Sequence, residues 1–380
     1  MRIAIVHSFY ASGSPSGENS SVLEQESALR DAGHEVVVVA RHTDLVSGDP
    51  LFKARSALNV VTGRGYDPSA ALSHFRPDVV HVHNLFPNIG HQWLANWPGP
   101  IVHTLHNYRP LCANGLLFRD GDVCTLCPDG QPWSAVKERC YHSSRIASLP
   151  LAIRNRRGLR HDPLLGRSDA AIFLSESARR TYVKYGADPG RAHVIPNGWA
   201  AGATYESGLT PETSRWVGAG RLTSEKGFLE LARIWPRGRT LEIFGEGPQL
   251  QEIAALGRPE ILLRGEVPRA DLLRVLPTYL GLVIPSLCLE MQPSIAVEAM
   301  ASGLPLVVRK GGAAEAMVNE HGVGESYRSE ASLSEALEGA ERGAPAARTH
   351  ARHVYESHFT LPIWVDRLVD LYERLVHFKE

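Results

Sequence analysis

Two glutamates separated by seven residues bracket a segment of this 380-residue chain suited to holding an anion: Glu290-Met291-Gln292-Pro293-Ser294-Ile295-Ala296-Val297-Glu298. Proline favours the first turn of a helix, so Pro293 predicts a helix start at which Ser294 and Ile295 present free backbone N–H groups. Such a start receives phosphate without a metal. Glu290 lies on the approach loop, and Glu298 sits about one turn inside, where its carboxylate can accept hydrogen bonds from hydroxyls. Two carboxylates flanking an anion site suit a ligand whose diphosphate lies between two sugars. An ordinary amphipathic helix with surface glutamates would show the same pattern.

A second segment, Gly218-Ala219-Gly220-Arg221-Leu222-Thr223-Ser224-Glu225-Lys226-Gly227, places two cations where an apolar run ends. Arg221 and Lys226 together could meet a diphosphate and neutralise charge that grows as a sugar–phosphate bond breaks. A solvated charge run beside a turn is the plain alternative.

The two segments together resemble the retaining glycosyltransferases of family GT4, which have the GT-B fold. The first carries Glu-x7-Glu followed by Ala299-Met300-Ala301 and Gly303-Leu304-Pro305, and the second matches Gly-Arg-x3-Glu-Lys-Gly. The resemblance implies that Glu290 contacts the transferred sugar, that Glu298 binds the nucleotide ribose, and that no catalytic metal is used. Many members have Gly-Phe after the first Glu. This chain has Met291-Gln292, whose side chains could alter donor-sugar preference.

Further segments follow the same resemblance. Phe244-Gly245-Glu246-Gly247-Pro248 is similar to a strand-end turn of the family, although its glycines alone specify only a turn. Arg264-Gly265-Glu266-Val267 is similar to the segment whose backbone faces the nucleotide base, and Ile195-Pro196-Asn197-Gly198 to the entry into the hinge. Gly220, Glu246, Val267, Pro293, Ser294, Ile295 and Glu298 are thus expected on the donor. So is Gly17, where the loop Ser12-Gly13-Ser14-Pro15-Ser16-Gly17 resembles the family's Gly-Gly loop with Ser16 in place of the first Gly. His106, in Val102-His103-Thr104-Leu105-His106, aligns with the family's active-site histidine. His103 points the other way on a strand and is expected in the core. Asn84 is expected to contact the acceptor.

Cys112, Cys124, Cys127 and Cys140 cluster around a central Cys-x2-Cys, a spacing that fits a structural zinc site in a long loop needing a staple. Buried free thiols and disulfides are the alternatives, the latter disfavoured in a reducing compartment. Cys288 stands apart and is expected to pack. Arg145, Arg154, Arg156, Arg157 and Arg160, interspersed with Ile and Leu, could meet an anionic acceptor or a membrane surface; a solvated helix face is the ordinary reading.

These residues need elements to position them. Apolar runs at Ile3–His7, Val36–Ala40, Val79–Val82, Ile101–Leu105 and Ala170–Leu174 alternate with helical spacing, such as 22–32. The rhythm restarts with Trp216–Ala219, Leu241–Phe244, Ile261–Leu263, Gly281–Ile284 and Leu306–Val308. Continuous Val/Ile runs between helices predict parallel sheets covered on both faces. The expected architecture is α/β, two Rossmann-like domains facing a central cleft. Residues 1–197 form an acceptor domain with a Cys-rich loop at 107–145, 198–212 a linker, and 213–358 a nucleotide-sugar domain. A final helix at 359–380 crosses back to the first domain, with Trp364, Leu368, Leu371, Tyr372 and Leu375 on one face.

Lysine plus arginine and aspartate plus glutamate number 40 and 41, so nothing global suggests a nucleic-acid partner. The N-terminal run reads as a strand rather than a signal peptide, and no run approaches the roughly 20 apolar residues of a membrane span. A cytoplasmic enzyme is expected, with membrane contact at most peripheral. It would move a sugar from a nucleotide sugar, a UDP-sugar by family frequency, to a hydroxyl of a small metabolite, lipid-linked sugar or polysaccharide. A nucleotide-sugar epimerase of the same fold and a zinc-stapled binding protein are the alternatives.

Overall fold

The structure, a computed structural model, describes residues 1–10, 16–200 and 214–377. Ser12, Gly13, Ser14 and Pro15 of the glycine-rich loop, residues 201–212 of the expected linker, and the last three residues lie outside the described residues.

The chain divides into two compact units: Met1–Leu117, Cys124–Asn197 and Trp364–Glu380 in one, Phe118–Val123 and Gly198–Ile363 in the other. The strands of the first are β1 (Arg2–Phe9), β2 (Glu35–His42), β3 (Val79–Asn84) and β4 (Ile101–Leu105). A two-stranded antiparallel hairpin, β5 (Phe118–Arg119) and β6 (Asp122–Val123), groups with the second unit. The first sheet is completed by β7 (Ala170–Phe173) and β8 (Ala192–Val194), and is parallel throughout in the order β2-β1-β3-β4-β7-β8.

The second unit repeats the plan. Its strands are β9 (Arg215–Ala219), β10 (Thr240–Phe244), β11 (Ile261–Gly265), β12 (Leu282–Ile284), β13 (Leu306–Arg309) and β14 (Gly324–Tyr327). They form a parallel sheet in the order β11-β10-β9-β12-β13-β14. Alternate side chains enter opposite cores. Val217, Leu282, Ile284, Leu306 and Val308 pack on one face, and Trp216, Val283 and Val307 on the other. Burial on both faces explains why these strands read as unbroken apolar runs.

Trp199 is buried in the second unit's core, its N–H donating to Phe359 O (3.0 Å) and its carbonyl accepting from Tyr355 Oη (2.9 Å). The last helix, Leu361–His377, buries Trp364, Val365, Leu368, Leu371 and Tyr372; its residues from Trp364 onward count with the first unit.

One polar group is stapled into the second sheet. Glu242 on β10 is buried and accepts from Arg264 Nε (2.7 Å), Tyr279 Oη (2.9 Å) and Arg215. Burial opposes its charge, but those three donors bring the carboxyl down to about 2. A depressed folded value gives stability that is complete above the unfolded value near 4.5 and lost as pH falls toward 2. Glu242→Gln should therefore cost about 2 kcal/mol at neutral pH. The loss should shrink in denaturant titrations repeated towards pH 2, and a pH-independent loss would reject the ionised carboxylate as its source.

Candidate active site

In an open parallel sheet, ligands bind outside the carboxyl ends of strands where the strand order reverses. In the second unit that point lies between β9 and β12. β9 ends at Ala219 and passes through Gly220 to Arg221 and a 3-10 turn, Ser224–Lys226. β12 ends at Ile284 and leads through Ser286 and Glu290 to the helix Ser294–Ala301. The two segments meet at their charges. Lys226 Nζ lies 2.6 Å from Glu290 Oε1, which also accepts from Ser286 Oγ at 2.6 Å.

Burial works against both charges, yet each holds the other ionised: Lys226 lies above its ordinary value and Glu290 below. Arg221 adds to the field that lowers Glu290, and its side chain is largely exposed, 3.5 Å from Glu225 Oε1. The result is an ion pair with a largely exposed cation nearby, ahead of a helix whose first amides have no intrahelical partner. The helix begins one residue later than its proline suggested: Pro293, with φ −72° and ψ 112°, is the cap, and Ala296 N–H donates to its carbonyl (3.1 Å).

Glu298 is buried within that helix, and its Oε1 accepts from Arg269 Nε at 2.6 Å. The Arg269 guanidinium stands 4.8 Å from the Trp199 ring centroid. Gly220, Glu246 and Leu222 are tied by backbone: Gly220 N–H donates to Phe244 O (3.0 Å) and Leu222 N–H to Glu246 O (2.7 Å). Only a glycine fits at 245, where a Cβ would stand 1.9 Å from Gly220 O, and Gly227, at φ +71°, would meet Pro285 O at 2.2 Å. The Glu246 side chain is exposed and Val267 is half-buried beyond β11. Met291 is buried, whereas Gln292 is half-buried. Arg264 turns its side chain to Glu242. Cys288 is buried, its thiol pushed up to about 12 by burial and the Glu290 charge.

The first unit reverses its strand order between β1 and β3. Beside it starts the helix Gly17–Asp31, capped by Ser16, whose Oγ accepts from Asn19 N–H at 3.3 Å. Gly17 is thus the first helical residue. At the strand ends stands a line of imidazoles: His83 Nδ1 is 2.7 Å from His106 Nε2, and the His83 ring stacks on His81 and His106 at 4.3 and 5.1 Å. His81 is fixed in turn by Tyr372 Oη (2.5 Å), Gln25 Nε2 (2.8 Å) and Thr104 Oγ1 (2.7 Å). Burial lowers His7 to about 4, His81 to about 3 and His103 to about 4, and holds His83 and His106 well below the ordinary value. At neutral pH these rings are uncharged hydrogen-bonding groups. Asn84 uses its side chain to hold the turn after β3, accepting from Phe86 N–H (2.9 Å) and donating to Phe86 O (3.0 Å).

Sequence reasoning missed a second polar group beside these residues. Glu18, next to Gly17, accepts from Asn107 Nδ2 at 3.1 Å, and the Arg109 guanidinium lies 4.3 Å from the Phe86 ring centroid. Burial pushes the Glu18 carboxyl up to about 7, against the Arg109 charge and hydrogen bonds from Asn107 and Tyr10. The only signals were adjacency, Glu18 to Gly17 and Asn107 to His106. A carboxyl raised on folding destabilises the fold as pH rises from about 4.5 to about 7, because the unfolded chain releases the proton first. Glu18→Gln should therefore raise the thermal midpoint at pH 8, by the equivalent of about 1 kcal/mol for this half-buried group, with no gain at pH 4. An equal gain at both pH values would reject the raised carboxyl.

All five cysteines are free. Burial, with the charges of Cys112, Cys140 and Cys124, pushes Cys127 up to about 12. Cys112 Sγ donates to Asn114 Oδ1 at 3.0 Å. Among the described residues no three His, Cys, Asp or Glu side chains are arranged to hold a metal ion. As placed, the four thiols do not form a ligand set.

Comparison with known proteins matches residues 15–199 to Glycosyltransferase Family 4 and residues 214–340 to Glycosyl transferases group 1. Glycogen synthase of Mycobacterium tuberculosis is 31% identical over 207 residues, 50% of this chain and 49% of that protein. The match therefore spans about half the length of that curated relative. Among solved structures, sucrose-phosphate synthase from Thermosynechococcus elongatus superposes with a TM-score of 0.67 at 17% identity, covering 98% of each chain. Anabaena HepE, solved in complex with UDP, gives 0.60 at 16% identity, covering 99% of this chain and 100% of that one. The chain thus has the two-domain GT-B fold, and its two parts are each similar in sequence to a glycosyltransferase family.

Proposed function

We propose that this chain is a retaining glycosyltransferase that uses a nucleoside-diphosphate sugar. The observation that carries the reading is the Lys226–Glu290 pair beside Arg221 and the start of the helix Ser294–Ala301, at the strand-order reversal of the second sheet. Arg221, Lys226 and the Ser294 and Ile295 amides supply positive charge for a departing diphosphate, so the reading calls for no catalytic metal. Glu290 orients the sugar and Glu298 takes the ribose. From the resemblance, His106 contacts the donor sugar, with Gly17, Gly220, Glu246 and Val267 as further donor contacts and Asn84 at the acceptor.

In the proposed reaction the bond from the anomeric carbon to the phosphate oxygen breaks and a bond to the acceptor oxygen forms on the same face. The acceptor hydroxyl proton passes to the departing phosphate, so no carboxylate nucleophile is assigned. HepE has been solved with UDP and with UDP-glucose, which supports a UDP-sugar donor here. The test is a screen of nucleotide sugars and hydroxyl acceptors with anomeric analysis of the product. An inverted anomer would sink the retaining claim, and failure to bind any nucleotide sugar would favour a non-catalytic binding protein.

The zinc proposal for Cys112, Cys124, Cys127 and Cys140 rests on the Cys-x2-Cys spacing within the cysteine-rich loop. Metal analysis of protein purified without chelators decides it: no stoichiometric zinc ends the idea.

A further inference from the structure

Two packed helices of the first unit turn apolar side chains outward. Phe52–Thr62 presents Leu58 and Val61 to solvent, with Leu51 just before it, and Arg145–Asn155 presents Ile146 and Leu149. Ile146 is 85% exposed and Leu58 57%. Their spacings, 51-58-61 and 146-149, place each set on one helix face, opposite the buried Asn59 of the first helix and Ser148, Leu151 and Ala152 of the second. An outward apolar stripe on two neighbouring helices is the reverse of what a solvated surface requires.

Within the two segments that carry the stripe, charge is of one sign, with Asp49, Asp67, Glu138 and Asp162 at their ends. Residues 50–66 and 139–161 contain no aspartate or glutamate. Arg55 is paired with Asp49 and Arg154 with Asp162, but Lys53, Arg145, Arg156 and Arg157 are exposed and form no ion pair with a described residue. The buried sides of the same helices line a cavity of about 80 Å³ through Asn59, Val60 and Arg154, and that cavity is also walled by His83, Asn84 and His106. The outward face and the candidate site thus share a wall.

We propose that this face docks on an anionic lipid surface. Leu58, Val61, Ile146 and Leu149 enter the headgroup boundary, while Lys53, Arg145, Arg156 and Arg157 meet lipid phosphates. Apolar side chains ringed by unpaired cations are what such a surface binds. A second copy of the chain is the poorer occupant, because two faces of the same positive sign repel. No helix among the described residues is long and apolar enough to cross a membrane, so the contact is interfacial. If the transferase reading above also holds, a lipid-linked acceptor is the class that such docking serves. Vesicle binding needs no substrate, so the two readings fail separately.

The test is flotation of the full chain with vesicles of phosphatidylcholine alone, or of phosphatidylcholine and phosphatidylglycerol in equal parts. Binding to the mixed vesicles is expected, weaker but not abolished at high salt, with little binding to phosphatidylcholine alone. The pair Leu58→Glu/Ile146→Glu and the pair Arg156→Glu/Arg157→Glu should each weaken it by about tenfold or more. All four positions are exposed, and circular dichroism checks that each variant is folded. No binding to the mixed vesicles, or equal binding by wild type and both variants, overturns the proposal. So does a concentration-dependent dimer in sedimentation that Leu58→Glu/Ile146→Glu abolishes.

Discussion

Lys226→Ala is expected to lower kcat/KM by about a thousandfold, the scale on which removing one preorganised charge from a developing anion is felt. The structure adds a second effect. Lys226 is the cation that keeps Glu290 ionised, with Nζ and Oε1 2.6 Å apart, so its removal strands a buried carboxylate. Stability should fall with activity, by about 2–3 kcal/mol. The double variant Lys226→Ala/Glu290→Gln separates the two losses. It removes the stranded charge, so denaturation should return towards the wild-type midpoint while kcat/KM stays at least as low as in Lys226→Ala. A folded double variant with near-wild-type turnover would reject the site.

The second large effect is expected on nucleotide binding. Glu298 is 5% exposed, and its Oε1 accepts from Arg269 Nε; in the proposed function this carboxylate takes a ribose hydroxyl. A charge-assisted hydrogen bond lost in a buried place costs about 2–3 kcal/mol, so Glu298→Ala should weaken UDP binding by roughly fiftyfold. Arg269→Ala keeps the carboxylate but frees its orientation, and should weaken UDP by less, about fivefold. Calorimetric titration of UDP into each variant measures both. Tighter binding by Arg269→Ala would show that the arginine competes with the ribose rather than orienting its partner.

Much of the fold was legible because strands buried on both faces cannot hide. Ile101–Leu105 appears with the bounds its apolar run gave, and β1, β2 and β10 differ by a residue or two at their ends. Of the two parallel sheets, the strands that escaped are β8 and β14, Ala192–Val194 and Gly324–Tyr327, which sit at sheet edges; the short hairpin β5–β6 escaped as well. An edge strand has one neighbour and needs no unbroken Val/Ile run. The residue types of the candidate site could be read from local motifs, but their partners could not. Lys226 and Glu290 are 64 residues apart in the chain, Glu18 and Asn107 are 89 apart, and His81 and Tyr372 are 291 apart. Those pairings come from strand order, which no local spacing encodes. Exposure was equally hidden: Arg145 to Arg160 has a solvated basic helix as its ordinary reading until Ile146 and Leu149 are seen to be exposed on a helix packed against the one that carries Leu58.

The glycine contacts at the strand ends of the second sheet carry an evolutionary consequence. At 245 and 227 the obstacle to any side chain is backbone, Gly220 O and Pro285 O, and backbone cannot step aside without moving a strand end. Such positions are closed to drift, and the loops they pin must be inherited as a block. Room for variation in this unit is therefore left to side chains that project from the block, such as the exposed Glu246 and the half-buried Gln292.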